Sequence, residues 1–540
     1  MPSSVLVIGL DGACWRLFAP WARAGRLPAI AALMERGTWG PLASTVPALT
    51  LPAWSSFMTG KNPGGHGVYA FHRMAFDRYD SAGLANAADL RAVRIWDVAA
   101  QAGRRVGVVN VPPSYPLRPI PNGYLVSCML TPPGERFTDP PEVAEELGEY
   151  EIDLPPPKGL RRDQRDYRER ALAYLAGIRR QTRLRGEATL RVMARRPTDA
   201  TCVVFYAPDR VQHYFWEYID PERPASDGTL DEEVRTALLG VYDELDAAVG
   251  RLVERAGPDA NVVLLSDHGF GPKPQRSVRV NRWLADQGLL KRHPFWTLRR
   301  SIVRKTFPEA WRARYDTLDH ILVNRPRSRA WSEALFTGTA GIWVHERGRY
   351  PLGCVSPGEE YERVRTRIVD GLGALTDPAG NRVFRSVQRR EDLYRGPYVA
   401  SAPDVIAGCE PRFGIMFESL RRELRTPDLF GSYEELGYTG THDPIGIYLL
   451  AGPAVAAPGE GAEYPIEAIP PTVLHLMDVP VPEDFDAAVM TEALRPEFLA
   501  THPVRSQPPV GDAAAEAAGW RSSEDEAHVA EHLRALGYFE

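Results

Sequence analysis

Three short runs of consecutive apolar residues, each closing just ahead of an aspartate, constrain this chain more than any other feature: VLVIGL before Asp11, VVFY before Asp209 and VVLLS before Asp267. Runs of this length without polar alternation read as strands buried on both faces, the signature of a parallel sheet. Helical patterns lie between them, with LPAIAALMERG after the first run and a long stretch at about 230–256 before the third. The expected fold is therefore α/β, a doubly wound, mostly parallel sheet flanked by helices. Ligands of such sheets gather at the carboxyl ends of the strands, so an acid past each of three strands predicts one acidic site at that edge. A fourth run, IGIYLLAGP at 445–453, also reads as a strand, but His442 precedes it. Either that strand runs antiparallel or His442 sits on a long loop.

With 540 residues the chain can bury a large core and still carry insertions. The expected core is 1–130, 196–294 and 431–500. Residues 131–195, rich in Pro, Glu and Arg, read as a helical insertion. Residues 295–430, opening with FWTLRRSIVRKTFPEAWRARY, read as an inserted cap, and 501–540 as a polar tail ending in a short helix, EDEAHVAEHLRALGYF. A net charge of -6, from 64 basic and 70 acidic residues spread along the chain, argues against a nucleic-acid binder. Any phosphate chemistry is then local. Cys14, Cys128, Cys202, Cys354 and Cys409 lie far apart and form no C-x-x-C pair, so neither a disulfide framework nor a thiolate metal cluster is expected. The start, MPSSVLVIGLDG, lacks a basic n-region, and no stretch approaches the roughly 18 apolar residues of a membrane helix. These features predict a cytoplasmic protein without a membrane partner.

Asp209 and His213 stand four apart in PDRVQHYFW, a spacing that puts both side chains on one face of a helix. Asp267 and His268 are neighbours in LLSDHGFG, on a loop leaving a strand. Each pair alone is ordinary, an ion pair on a helix or a turn cap. With Asp11 and His442 they make three carboxylates and three imidazoles, the donors that zinc accepts in catalytic sites, and enough for two ions. Thr50 in STVPALTLPAWSSFMTG supplies a hydroxyl at a helix start, where backbone N–H groups favour a phosphate, with Pro52 in the first turn. A bound cation would lower that hydroxyl's pKa; the plainer alternative is that Thr50 caps the helix.

These residues resemble the type I phosphodiesterase and nucleotide pyrophosphatase branch of the alkaline phosphatase superfamily. The nucleophile motif matches T-L-P at 50–52 and TGKNPGGHG at 59–67, and PDRVQH at 208–213, SDHG at 266–269 and GTHDP at 440–444 follow in family order. The resemblance covers about 5–290 and 430–490, including AIPPTVLHLMDVPVPEDFDA. It implies an alkaline-phosphatase-like sheet with an inserted cap and two divalent metal ions, zinc being the usual occupant and manganese or iron the alternatives. One ion falls to Asp11, Thr50, Asp267 and His268, the other to Asp209, His213 and His442. It also implies Thr50 as nucleophile, a phospho-threonine intermediate, and a small phosphate ester or nucleotide-like substrate. His66 is not a ligand in this pattern and reads as part of a turn.

The chain departs from the pattern at Phe71, where nucleotide pyrophosphatases usually carry an asparagine that contacts phosphate, so nucleotide specificity does not transfer. Asn281 offers a replacement donor, and Trp54 and Phe270 offer an apolar leaving-group pocket, although a turn and a packing role respectively serve as well. A sulfatase would need C-x-P-x-R or S-x-P-x-R where Thr50 and Trp54 stand, and a cofactor-independent phosphoglycerate mutase normally uses serine. A phosphomonoesterase of the same superfamily and a non-catalytic binding protein on the same fold are the remaining alternatives. The mark of the latter would be lost ligands, and none is missing.

Overall fold

Every residue of VLVIGL is buried, and successive side chains point to opposite faces: Val5 and Val7 enter one core, Leu6, Ile8 and Leu10 the other. A strand covered on both faces sits in the middle of its sheet, and this one does. The computed structural model describes residues 4–74, 81–157, 159–222, 230–292, 323–415, 423–424, 426–433, 437–511 and 522–536. The FWTLRRSIVRKTFPEAWRARY segment of the expected cap lies outside the described residues, as do 512–521 of the tail.

The strands that build or approach the site are, in chain order, β1 (Val5–Leu10), β2 (Gly37–Ala43), β3 (Val106–Val109), β4 (Tyr124–Val126), β5 (Ala200–Phe205), β6 (Asn261–Leu265) and β7 (Gly269–Pro272). They continue with β8 (Ala330–Phe336), β9 (Thr339–Val344), β10 (Phe384–Arg389), β11 (Val405–Cys409), β12 (Gly440–Asp443) and β13 (Ile445–Ala451). The central sheet runs β2-β13-β6-β1-β5-β3-β4. From β6 to β4 all pairs are parallel, whereas β13 is antiparallel to both β6 and β2. This settles the fourth apolar run. Because β13 runs backwards, its beginning lies at the carboxyl edge of the parallel strands, and the residues just before it reach the same edge as those just after β1, β5 and β6.

Helices cover both faces, the doubly wound arrangement expected from the sequence. One face carries α1 (Thr50–Thr59) with Ile95–Gln101 and Ile469–Leu476; the other carries α2 (Tyr167–Arg195), α3 (Ala207–Phe215) and α4 (Glu232–Ala256). Asp231 caps α4 by accepting from Glu233 and Val234 N–H. A second, antiparallel sheet in the order β8-β9-β11-β10 has a core of its own, with Trp331, Ile342, Trp343 and Val405, and Ile368 from the helix Glu359–Gly373. The tip of β8 leaves that core: Phe336 packs in the core of the central sheet. The polar tail returns as α5 (Ser523–Ala535), whose Val529 and Leu533 join the same core. All five cysteines are free. No helix among the described residues is long and apolar enough to cross a membrane.

The turn after α1 accounts for His66. Gly60 closes α1 with φ 67°, a left-handed conformation that suits glycine. Asn62 then caps the short helix Pro63–His66, and the buried His66 ring accepts from Val68 N–H at Nδ1 (3.1 Å) and meets Ser56 Oγ at Nε2 (3.1 Å). A ring that accepts at Nδ1 carries its proton on Nε2, so Nε2 donates to Ser56 and the imidazole is neutral. Burial pushes its pKa down to about 3. The unfolded chain takes up a proton near pH 6.5 while the folded one does not, so stability falls as pH drops below 6.5, by about 1.4 kcal/mol per unit from this group. In chelator-stripped protein, His66→Gln is expected to lose thermal midpoint less steeply than wild type between pH 6.5 and 5. Parallel profiles would show that His66 does not carry this acid sensitivity.

Candidate active site

The adjacency of β6, β1 and β5 in the sheet brings Asp11, Asp209 and Asp267 together. Leu10 pairs with Phe205 across β1 and β5, and Gly9 with Leu265 across β1 and β6, so the chain leaves all three strands at one level. The Asp11 N–H donates to Phe205 O (3.0 Å) and the Asp209 N–H to Asp11 O (3.0 Å), locking the two exits to each other. Gly12 turns with φ +71°, a left-handed conformation that glycine adopts without strain, and its N–H donates to Asp267 Oδ1 (3.1 Å). The expected helix over PDRVQH is α3, with Asp209 in its first turn and His213 one turn on.

His442 arrives on β12, which pairs antiparallel with β7 and sets His442 opposite Phe270. The close passage of the two segments explains SDHG: a Cβ on Gly269 would lie 1.9 Å from Ile445 O. His442 Nε2 lies 3.1 Å from Asp209 Oδ1 and 3.2 Å from His213 Nε2, and His213 Nε2 lies 3.3 Å from the same Oδ1. On the other side His268 Nε2 lies 3.2 Å from Asp267 Oδ2 and 3.7 Å from Asp11 Oδ1. The groups form two overlapping clusters with donor atoms within 4.8 Å of one another, Asp209, His213 and His442 in one and Asp11, Asp209 and His268 in the other. Asp209 belongs to both.

The imidazole tautomers follow from their second nitrogens. His442 Nδ1 lies 3.0 Å from Ala48 O and His268 Nδ1 3.0 Å from Gly269 O. A carbonyl only accepts, so both rings carry the proton on Nδ1 and turn the lone pair of Nε2 toward the carboxylates. His268 Nε2, Asp11 Oδ1 and Asp267 Oδ2 are buried with no hydrogen-bond partner among the described residues. Lone pairs in such proximity repel each other and are desolvated, an arrangement that suits a bound cation. The charges respond accordingly. Burial, then Asp209, pushes the Asp11 carboxyl well up, and burial, then Asp11 and Asp209, does the same to Asp267. Burial opposes ionisation of Asp209 too, but His213 and His442 outweigh it and hold that carboxyl low whenever those rings take up a second proton. Burial, then His442, pushes His268 well down.

Thr50 is the first residue of α1 and fully buried. The position before the helix is taken by Leu49, in an extended conformation, so Thr50 stands inside the helix instead of capping it. Its neighbours on both sides hold the cluster: Ala48 O lies against the His442 ring, and Trp54, one turn on, donates from Nε1 to Asp11 Oδ2 (3.1 Å). The Trp54 ring lies so close over β1 that a Cβ on Gly9 would be 2.4 Å from it. Trp54 is therefore wholly enclosed, between the sheet and Asp11. Asn281 is committed elsewhere: its Nδ2 donates to Ser332 O (2.8 Å) and Glu423 Oε2 (2.8 Å), and its Oδ1 accepts from Ser332 N–H (2.8 Å), so both amide hydrogens are used, one by β8 and one by Glu423. Phe71 is buried in the central core.

Sequence reasoning missed several contributors. Arg210 donates from its NH1 nitrogen to Asp209 Oδ2 (2.6 Å), and its position next to Asp209 in PDR was the available signal. Phe336 on the second sheet sets its ring 4.1 Å from that of His442, and Tyr438 lies 5.4 Å from His213. Nothing in the sequence marks these two, because only the return of distant segments puts them there.

The profile described as type I phosphodiesterase / nucleotide pyrophosphatase matches residues 5–442. The chain belongs to that family, a family of phosphoester hydrolases. No curated protein matches it. Among solved structures, phosphonoacetate hydrolase from Sinorhizobium meliloti 1021 in complex with phosphonoacetate is similar, with a TM-score of 0.57, 14% identity, and coverage of 88% of this chain and 96% of that one. Its complex with phosphonoformate gives 0.55 and 15% over 88% and 96% of the two chains. Murine ectonucleotide pyrophosphatase / phosphodiesterase 5 gives 0.48 and 13% over 91% and 100%. At these identities the phosphonoacetate hydrolase structures speak for the fold, and they agree with the α/β architecture. Within the family fold, the crowding of acids gives a direct test. In chelator-treated protein, Asp11→Asn is expected to unfold at a higher temperature than wild type, gaining on the order of 1 kcal/mol or more by replacing a carboxyl whose ionisation burial and Asp209 oppose with a neutral amide. Its amide oxygen can still accept from Trp54. A lower midpoint would show that mutual repulsion does not dominate this cluster.

Proposed function

We propose that this chain hydrolyses small phosphate esters of the diester or pyrophosphate type through a phospho-threonine on Thr50, with two divalent cations, zinc first among them. Asp11, Thr50, Asp267 and His268 would hold one ion and Asp209, His213 and His442 the other. The single observation that carries this reading is the pair of buried donor clusters meeting at Asp209, each with an imidazole Nε2 turned inward.

A bound pair of such ions lowers the pKa of a hydroxyl and stabilises the attacking and leaving oxygens of an in-line displacement at phosphorus. The chain's own residues supply the rest. Thr50 presents its hydroxyl at the start of α1, where the first-turn N–H groups lack acceptors within the helix and favour a phosphate oxygen. Its Oγ bonds to phosphorus while the bond from phosphorus to the leaving alcohol's oxygen breaks, and the hydroxyl proton ends on that alcohol. Water then displaces Thr50 from phosphorus, returning the hydroxyl and releasing the monoester. Trp54 fixes Asp11, and the carbonyls of Ala48 and Gly269 fix the imidazole planes, so the ligands need no rearrangement during the cycle. Phe336 brings the second sheet to the wall beside His442, where it would meet the leaving group.

Purified protein is expected to contain zinc and to cleave bis-p-nitrophenyl phosphate faster than p-nitrophenyl phosphate. Faster cleavage of the monoester would move the assignment to a phosphomonoesterase. Thr50→Ala should lower turnover of both by at least about 1,000-fold with an unchanged thermal midpoint, since the side chain lost is a nucleophile. Turnover at the wild-type level would remove Thr50 from the mechanism.

A further inference from the structure

Arg210 does more than touch Asp209. While its NH1 donates to Asp209 Oδ2, its Nε and NH2 donate to both oxygens of Asp153, at 3.2 and 2.8 Å. A guanidinium is planar and rigid, so a fork on one carboxylate fixes the direction in which the remaining nitrogen offers its hydrogen to the other. All three side chains are almost completely buried, at 1% exposure for Arg210, 2% for Asp153 and 0% for Asp209. Asp153 in turn receives the Nε2 of His532, 3.0 Å from its Oδ2 and 379 residues away in the chain. Burial alone would raise the Asp153 carboxyl; Arg210 and His532 outweigh it and keep the group ionised.

His532 sits on α5, the last described element. The helix is seated by Val529 and Leu533 in the core of the central sheet and by Glu526, which accepts from Leu84 N–H (2.5 Å). Near its end, Tyr214 donates to Ala535 O (3.0 Å), and Tyr214 is the residue after His213. The C-terminal helix thus meets the cation-site region twice, once through the Asp153 pair and once beside His213.

We infer that α5 is a positioning element for the cation site: His532 orients Asp153, Asp153 orients Arg210, and Arg210 holds Asp209 Oδ2 so that Oδ1 faces His213 and His442. None of the three touches substrate or ion. The inference rests on the reading that Asp209, His213 and His442 hold a cation. Direct partners of metal ligands, the place Arg210 takes here, typically change metal affinity by about 10–100-fold, and groups further along the chain of contacts change it by less. Helix α5 carries no motif of its own, so the arrangement gives a function to a tail that the sequence leaves without one.

The test uses the full chain, stripped and titrated with zinc against a chromophoric chelator, with metal content measured after gel filtration. Asp209→Asn is expected to lose one equivalent. Asp153→Asn should weaken one zinc by about 10-fold and His532→Ala by a smaller, measurable factor. His532→Gln should restore binding, because its amide N–H can donate to the same oxygen of Asp153. If Asp153→Asn does not fold, the two His532 variants decide the matter. Wild-type affinity in His532→Ala, or a Gln variant as weak as the Ala one, overturns the inference while Asp209→Asn still loses zinc. Retention of both equivalents by Asp209→Asn would instead overturn the underlying reading.

Discussion

The structure turns on the cost of enclosing Asp11, Asp209 and Asp267 with His213, His268 and His442 in one buried space. Carboxylate and imidazole lone pairs at separations of 3.1 to 3.7 Å have lost their water and gained neighbours of like polarity. Such an arrangement opposes folding unless positive charge enters it. The molecule concentrates its compensation at Asp209, the shared member, whose carboxyl receives Arg210 and is held low by His213 and His442 whenever those rings take up a second proton. Asp11 and Asp267, with weaker support, are pushed toward the protonated form. A cation would resolve that imbalance, and stability and catalytic competence would then share one origin.

Holding those groups in place falls mostly to the backbone. The level exit of β1, β5 and β6, the left-handed turn at Gly12 and the bond from Asp209 N–H to Asp11 O are consequences of strand pairing. The antiparallel β13 makes the fourth approach possible, because a parallel strand there would carry His442 to the opposite edge. Glycine at 269 is required by the passage of Ile445, and glycine at 9 by the ring of Trp54. Side chains add the final orientation: the carbonyl partners of His268 and His442 decide which nitrogen faces inward.

Two regions outside the central sheet reach the cluster by different means. The second sheet presents Phe336, an apolar ring against His442, which is suited to shaping a wall. The terminal helix presents His532, a polar group that acts at a distance through Asp153 and Arg210. The first kind of contact can vary among apolar groups of similar size. The second cannot, because each member satisfies a buried charge of the next.

Local pattern alone determined much of this protein. Three uninterrupted apolar runs specified buried parallel strands, the helical spacing of Asp209 and His213 put both on one face of α3, and the T-L-P, SDHG and GTHDP motifs marked the acids, imidazoles and hydroxyl. These features are legible because they depend on the periodicity of a strand or helix and on chemistry carried by neighbouring residues. The order of strands, the reversed direction of β13, the enclosure of Trp54 beneath Asp11 and the engagement of Asn281 by Ser332 and Glu423 were decided only by the tertiary structure. So were the arrival of Phe336 and the link from His532 to Asp209. Each of these joins residues tens to hundreds of positions apart, and no local spacing records which distant segments will share a neighbour once the core has closed.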